Sequence, residues 1–302
     1  MLNESRNSAD QESRAVATVV DGAWAISTMT PGTVLSHRIT VEYRDRLVPV
    51  ATRLRKRSDH LVVFLHGLGC DQESFTAAFD RAELSEFSVC TFDFPGHGES
   101  GKLPPDAYSL QAYADITLAV VAAFRPGRVS LVCHSMGGAV GLLASQDLPD
   151  IARFVSIEGN LVAEDCGLIS RRIAAQSGVE FARTGHAELR RKLTEAPDRG
   201  SRAWARWVAR CDPSAVHACA SSLVEWSDSG KLLDLFQAIQ HTAYVHGGLS
   251  EQDHLRPVLG ATPRHSIPRA AHFAMLDNPN ATYAALRTAL TATGRATRTA
   301  YV

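Results

Sequence analysis

The chain has 302 residues, 45% hydrophobic and 21% charged, ordinary fractions for a globular protein and enough to bury one core with room for an inserted subdomain. Lysine plus arginine (31) and aspartate plus glutamate (32) almost cancel, so no global field would draw the protein to nucleic acid or an anionic membrane. The six cysteines (Cys70, Cys90, Cys133, Cys166, Cys211 and Cys219) include no CxxC pair. Their scatter fits neither a zinc site nor a small disulfide framework, so reduced thiols in a cytoplasmic protein are expected.

Residues 1–14 are polar and mixed in charge; residues 15–26 are more apolar but are interrupted by Asp21 and Gly22. No run approaches the roughly 18 apolar residues of a membrane span, and no basic and apolar leader pattern is present. Residues 1–30 therefore read as a flexible extension. Residues 35–41 and 47–51 alternate around an Asp45-Arg46 turn and predict a half-exposed hairpin, with Pro49 suited to an edge position. The basic run Arg53-Leu54-Arg55-Lys56-Arg57 reads as a solvated turn or strand edge.

Residues 61–65 are apolar without alternation, which predicts a strand covered on both faces. Similar runs recur at 89–92, 129–133, 154–157 and 243–245. Between them, Leu110, Tyr113, Ile116, Val120 and Phe124 recur at helical spacing, and 139–148 is a second helical stretch ended by Pro149. This alternation implies an α/β fold with a mostly parallel sheet. Residues 161–240 carry no buried-strand run, only helical patches with Trp204, Trp207 and Trp226, which predicts a helical insertion. The expected layout is a core at 31–160 and 241–302 interrupted by that insertion.

The strongest chemical signal is Cys133-His134-Ser135-Met136-Gly137-Gly138, at the junction of a strand and a helix. A sharp strand-to-helix turn of this type holds a serine oxygen clear of the sheet as a nucleophile. The helix beginning at Met136 points free N–H groups toward charge developing near Ser135. A second signal, His66-Gly67-Leu68-Gly69, follows a buried strand. Acyl transfer needs two N–H donors for the oxyanion, and the backbone N–H groups of Leu68 and Met136 are the candidates. The His66 side chain reads as packing that holds the loop.

A third motif is Asp93-Phe94-Pro95-Gly96-His97-Gly98-Glu99-Ser100. The order HGLG, DFPGHGES, CHSMGG resembles the α/β-hydrolase family with a serine nucleophile. That resemblance implies a sheet flanked by helices, with residues 161–240 as a cap whose tryptophans and aliphatics wall the pocket, and a structural role for the DFPGHGES loop. It also implies that His272, in Ile267-Pro268-Arg269-Ala270-Ala271-His272-Phe273, is the general base; among 12 histidines it alone has that setting.

The acid departs from the family's pattern. In Val245-His246-Gly247-Gly248-Leu249-Ser250-Glu251-Gln252-Asp253, the usual position counts to Ser250 or to Glu251. An alternative site, at the end of the preceding strand, carries Glu158. A carboxylate there would be costly without a partner, and the His272 N–H would be one. Glu158 is preferred, with Glu251 and Asp253 left open. The implied activity is hydrolysis of a carboxylic ester or related acyl bond on a small molecule through an acyl-Ser135 intermediate, with neither metal nor organic cofactor. Other chemistry on the same fold (perhydrolase, acyltransferase, carbon–carbon hydrolase or lyase) and a non-catalytic binding protein remain open, as does the oligomeric state.

Overall fold

The computed structural model describes residues 17–22, 29–148 and 150–292. One sheet runs in the order β1-β2-β3-β5-β4-β6-β7-β8-β9. Its strands are β1 (Thr18–Asp21), β2 (Val34–Tyr43), β3 (Arg46–Arg55), β4 (His60–Leu65), β5 (Ser88–Phe92), β6 (Arg128–His134), β7 (Arg153–Ile157), β8 (Thr242–Gly247) and β9 (Arg264–Ile267). Pairs β1–β2, β2–β3 and β3–β5 are antiparallel. All pairs from β5 to β9 are parallel.

The unalternating run of β4 follows from two covered faces. Leu61, Val63 and Leu65 pack with residues of α1 (Leu110–Phe124) and α2 (Met136–Ser145). Val62 and Phe64 face the other way, toward Phe75, Phe79 and the Tyr283 and Leu286 side of α11 (Pro279–Thr291). Each such fully buried side chain contributes about 1.5–3 kcal/mol. Helix α1 starts where Ser109 Oγ accepts the Ala112 N–H at 3.0 Å.

Between β7 and β8 lie α3 (Leu168–Ala174), α4 (Gly178–Glu180), α5 (His186–Glu195), α6 (Arg199–Val208), α7 (Pro213–Asp228) and α8 (Lys231–Ala238). Helix α8 belongs to the layer covering the sheet: Phe236 is buried with its ring 6.0 Å from that of Phe154 on β7. Two short helices, α9 (Arg256–Leu259) and α10 (Ala274–Asp277), precede α11. Among the described residues no helix is long and apolar enough to cross a membrane, and all six cysteines are free and buried.

Four features depart from expectation. Within the stretch read as a flexible extension, Thr18–Asp21 pairs with β2 as a ninth strand; residues 1–16 and 23–28 lie outside the described residues. Pro49 lies in an inner strand rather than an edge strand, but β3 meets β5 only over residues 52–55, so no neighbour on that side asks for its missing N–H. Strand β9 had no sequence signal because only Ile267 of its four residues is buried. Arg55, read as part of a solvated run, is 3% exposed. The connection from β4 to β5 is built from 3-10 turns at Gln72–Phe79 and Ala82–Leu84, and the Arg55 guanidinium donates to the carbonyls of Phe79, Leu84 and Phe87. A buried cation is tolerated there because it gathers carbonyls that an α-helix would otherwise have satisfied.

Candidate active site

Strand β6 delivers Ser135 into a backbone conformation of φ 52 and ψ −123 degrees, and α2 begins at the next residue. Such a conformation costs energy for a residue with a Cβ, and the surroundings over-determine it. The Ser135 N–H donates to the Ile157 carbonyl at 3.0 Å and its carbonyl accepts the Gly138 N–H at 2.7 Å. A Cβ on Gly137 would stand 2.7 Å from the His66 carbonyl oxygen, so only glycine lets α2 approach the end of β4 this closely. The Cys133 sulfur, just before the turn, is fully buried and faces Gly141, where a Cβ would stand 2.6 Å from it. Burial pushes the Cys133 thiol well up, so it offers no competing thiolate.

The loop after β4 lies against this serine; a Cβ on Gly67 would stand 3.2 Å from Ser135 Cβ. His66 Nδ1–H donates to the Gly67 carbonyl at 2.9 Å, the Cys70 N–H donates to the same oxygen at 3.1 Å, and His66 Nε2 accepts the Phe94 N–H at 3.1 Å. Burial pushes the His66 pKa well down and keeps the ring neutral. With the Gly67 carbonyl held by two donors, the Leu68 N–H across the same trans peptide is turned the opposite way. Among the described residues it has no acceptor, and the Met136 N–H opens a helix and has no intrahelical one. The Asp93 loop is structural: its carboxylate accepts from Gln72 N–H (2.7 Å), Gln72 Nε2 (3.0 Å) and Glu99 N–H (2.9 Å).

His272 sits on the loop between β9 and α10. Its Nδ1 is 2.8 Å from Glu158 Oε2, and Glu158 Oε1 accepts the Gly247 N–H at 2.8 Å. Glu158 directly follows β7 at φ 46 degrees with its side chain 3% exposed. Burial alone would raise its pKa. The His272 hydrogen bond and charge, the Ser250 hydroxyl and the Gly247 N–H outweigh that and bring it down to about 2. The two other candidate carboxylates do not reach this group: Glu251 is exposed, and Asp253 is 97% exposed and pairs with Arg256 at 3.6 Å. The Ser135 hydroxyl is half-buried and makes no hydrogen bond among the described residues.

A profile of the "Alpha/beta hydrolase family" matches residues 62–286, most of the chain. The chain belongs to that family. A Mycoplasma genitalium protein bearing an esterase/lipase name is 32% identical over 94 residues, 31% of this chain and 35% of its own. The chain thus spans about a third of the length of the first curated relatives it matches. Among solved structures, a variant of the N-acyl homoserine lactonase AidH complexed with N-hexanoyl homoserine superposes at TM-score 0.65 with 19% identity, over 87% of this chain and 99% of that one. An esterase from Exiguobacterium antarcticum superposes at TM-score 0.67 with 16% identity, over 82% and 97%. At these identities the likeness shows the fold.

This α/β hydrolase also carries a site residue that sequence reasoning passed over. His134, fully buried, places its Nε2 2.9 Å from the His272 carbonyl, and its ring centroid lies 4.8 Å from that of His272. Nε2–H therefore donates, which leaves Nδ1 as a buried acceptor without a partner among the described residues, facing the position of a Gly67 Cβ at 3.0 Å. Burial, reinforced by the neighbouring His272, pushes the His134 pKa down to about 3. A neutral ring thus bridges the serine turn and the loop that carries His272. Its place directly before Ser135 was the available signal.

A separate cleft of about 390 Å³ is walled by Arg38, Arg53, Asp71, Glu73, Glu99 and Arg210, among others, and includes none of Ser135, His272 or Glu158. Two of its carboxylates are engaged internally, with Arg210 pairing Asp71 and Glu73. Among the described residues no group of His, Cys, Asp and Glu could hold a metal ion.

Proposed function

We propose that this α/β hydrolase cleaves a carboxylic ester or related acyl bond, with Ser135 as nucleophile, His272 as general base and Glu158 as the acid that orients it. The observation that carries this reading is the 2.8 Å contact from His272 Nδ1 to a buried glutamate, beside a serine held at φ 52 degrees. With Nδ1–H donated to Glu158, Nε2 presents its lone pair and can take the Ser135 proton. The serine oxygen adds to the acyl carbon, and the oxyanion is met by the N–H groups of Leu68 and Met136. His272 then hands the proton to the leaving oxygen, the alcohol departs, and acyl-Ser135 remains. Water deprotonated by His272 attacks that ester, and collapse returns Ser135–OH and the carboxylic acid. Glu158 stays ionised throughout, in keeping with its low pKa.

Helices α3–α7 would cap the site, which favours a small or medium soluble acyl substrate over an aggregated lipid. Esters and lactones are the first classes to screen, since the structural relatives include an esterase and a lactonase. The buried free thiols fit a reducing, cytoplasmic setting. A fluorophosphonate, which reports an activated serine beside an oxyanion site, should form one stoichiometric adduct on Ser135. Ser135→Ala should abolish both the adduct and, by several orders of magnitude, any turnover. Failure of the native chain to label at Ser135 would bring the non-catalytic reading forward.

A further inference from the structure

Helix α6 lies within the inserted segment, yet one stripe of it touches both loops that would do the chemistry. At its start, Gly200 meets Phe273, the residue after His272, so closely that a Cβ would stand 2.7 Å from Phe273 Cδ2. One turn on, the Trp204 indole Nε1–H donates to the Leu68 carbonyl at 2.8 Å, and its ring lies 5.9 Å from that of Phe273. A further turn on, Val208 is fully buried and abuts Gly69, where a Cβ would stand 2.8 Å from Val208 Cγ2. Positions 200, 204 and 208 are four apart and so share one face of the helix. Just past its end, Arg210 pairs with Asp71 and Glu73 on the continuation of the same loop.

The peptide that Trp204 holds matters. Gly67 to Cys70 form a turn closed by the Cys70 N–H to Gly67 carbonyl bond, with Gly69 at φ +63 degrees. Turns of this length have alternatives that differ chiefly by a flip of the central peptide, here Leu68–Gly69. The indole N–H can donate to the Leu68 carbonyl in only one of those orientations. The flanking Gly67–Leu68 peptide carries the N–H assigned to the oxyanion.

Resting on the acyl-transfer reading above, we infer that α6 is a fixed splint between the base loop and the oxyanion loop, with Trp204 as a positioning residue rather than only a wall of the substrate pocket. The helix sets how far His272 stands from the Leu68 N–H, and this distance decides whether both act on the same acyl centre. A pocket wall would change how tightly a ligand binds. A splint changes how fast bound ligand reacts.

Fluorophosphonate labelling separates the two, because its kinetics divide into a binding constant and a maximal rate of adduct formation. Trp204→Phe keeps an aromatic ring on the Phe273 side and removes the indole N–H together with part of the bicyclic ring. The maximal rate should fall about fivefold to tenfold, as loss of one hydrogen bond implies, with the binding constant within about twofold. Amide exchange across residues 66–72 should quicken in the same variant. Gly200→Ala, which pushes α6 off Phe273, should show the same signature and serves where Trp204→Phe folds poorly. An unchanged maximal rate with weakened binding, or unchanged exchange, would overturn the inference. Absence of labelling on the native chain would instead overturn the acyl-transfer reading.

Discussion

Two adjacent turns, after β7 and after β8, could each hold the acid that partners His272, and they divide the task unevenly. The first places Glu158 at φ 46 degrees with almost no exposure and points Oε2 at the imidazole. The second has no carboxylate in reach and donates instead: the Gly247 N–H and the Ser250 hydroxyl both serve Glu158. The turn that lacks the acid has become the support of the acid. A charge in a low-dielectric site needs donors around it more than it needs a particular strand to stand on.

That comparison can be broken most severely at its centre. Glu158→Gln should lower kcat by about 10³–10⁴-fold, as expected when an imidazole loses the partner that sets its tautomer. Glu251→Gln should leave kcat within about twofold, because an exposed carboxylate away from the site has little to lose. The opposite ranking in steady-state kinetics would return the acid to the second turn.

Stability offers the next test. Glu158 is held at about 2 against an ordinary 4.5. Its pairing therefore contributes stability that is full above the ordinary value and is lost as pH falls through the depressed one. A depression of that size is on the order of 3 kcal/mol. Urea unfolding of the native chain and Glu158→Gln should show a gap that narrows from about pH 6 to about pH 2. A constant gap would mean that the carboxylate is not held by the groups named here.

The smallest effect sharpens the comparison. Adding Ser250→Asp to Glu158→Ala places a carboxylate on the second turn, and it should recover about tenfold in kcat over Glu158→Ala alone, a fraction of what base orientation supplies. No recovery would show that this turn can support an acid but no longer present one.

Much of this was legible in the residues. The apolar runs of β4 to β8 announce themselves because both faces are covered, and Glu158 could be singled out because a carboxylate stands where an apolar strand stops. Strand β9 was silent because three of its four residues face outward or half outward. Arg55 was misread because a basic run carries no mark of which member turns inward. His134 was hidden in plain view: a histidine beside Ser135 reads as a neighbour until its 2.9 Å contact with the His272 carbonyl is seen. The bonds that matter there span more than a hundred positions of chain, and no local pattern records them.

The Cys133 sulfur and the bare α-carbon of Gly141 share one small volume. With cysteine at 133, a methyl at 141 meets sulfur at 2.6 Å; with glycine at 133 that obstacle goes, and the Phe154 ring edge at 3.1 Å is the next neighbour. Cys133→Gly would leave a void beside Gly141, so Gly141→Ala should be tolerated better in that background than in the native chain.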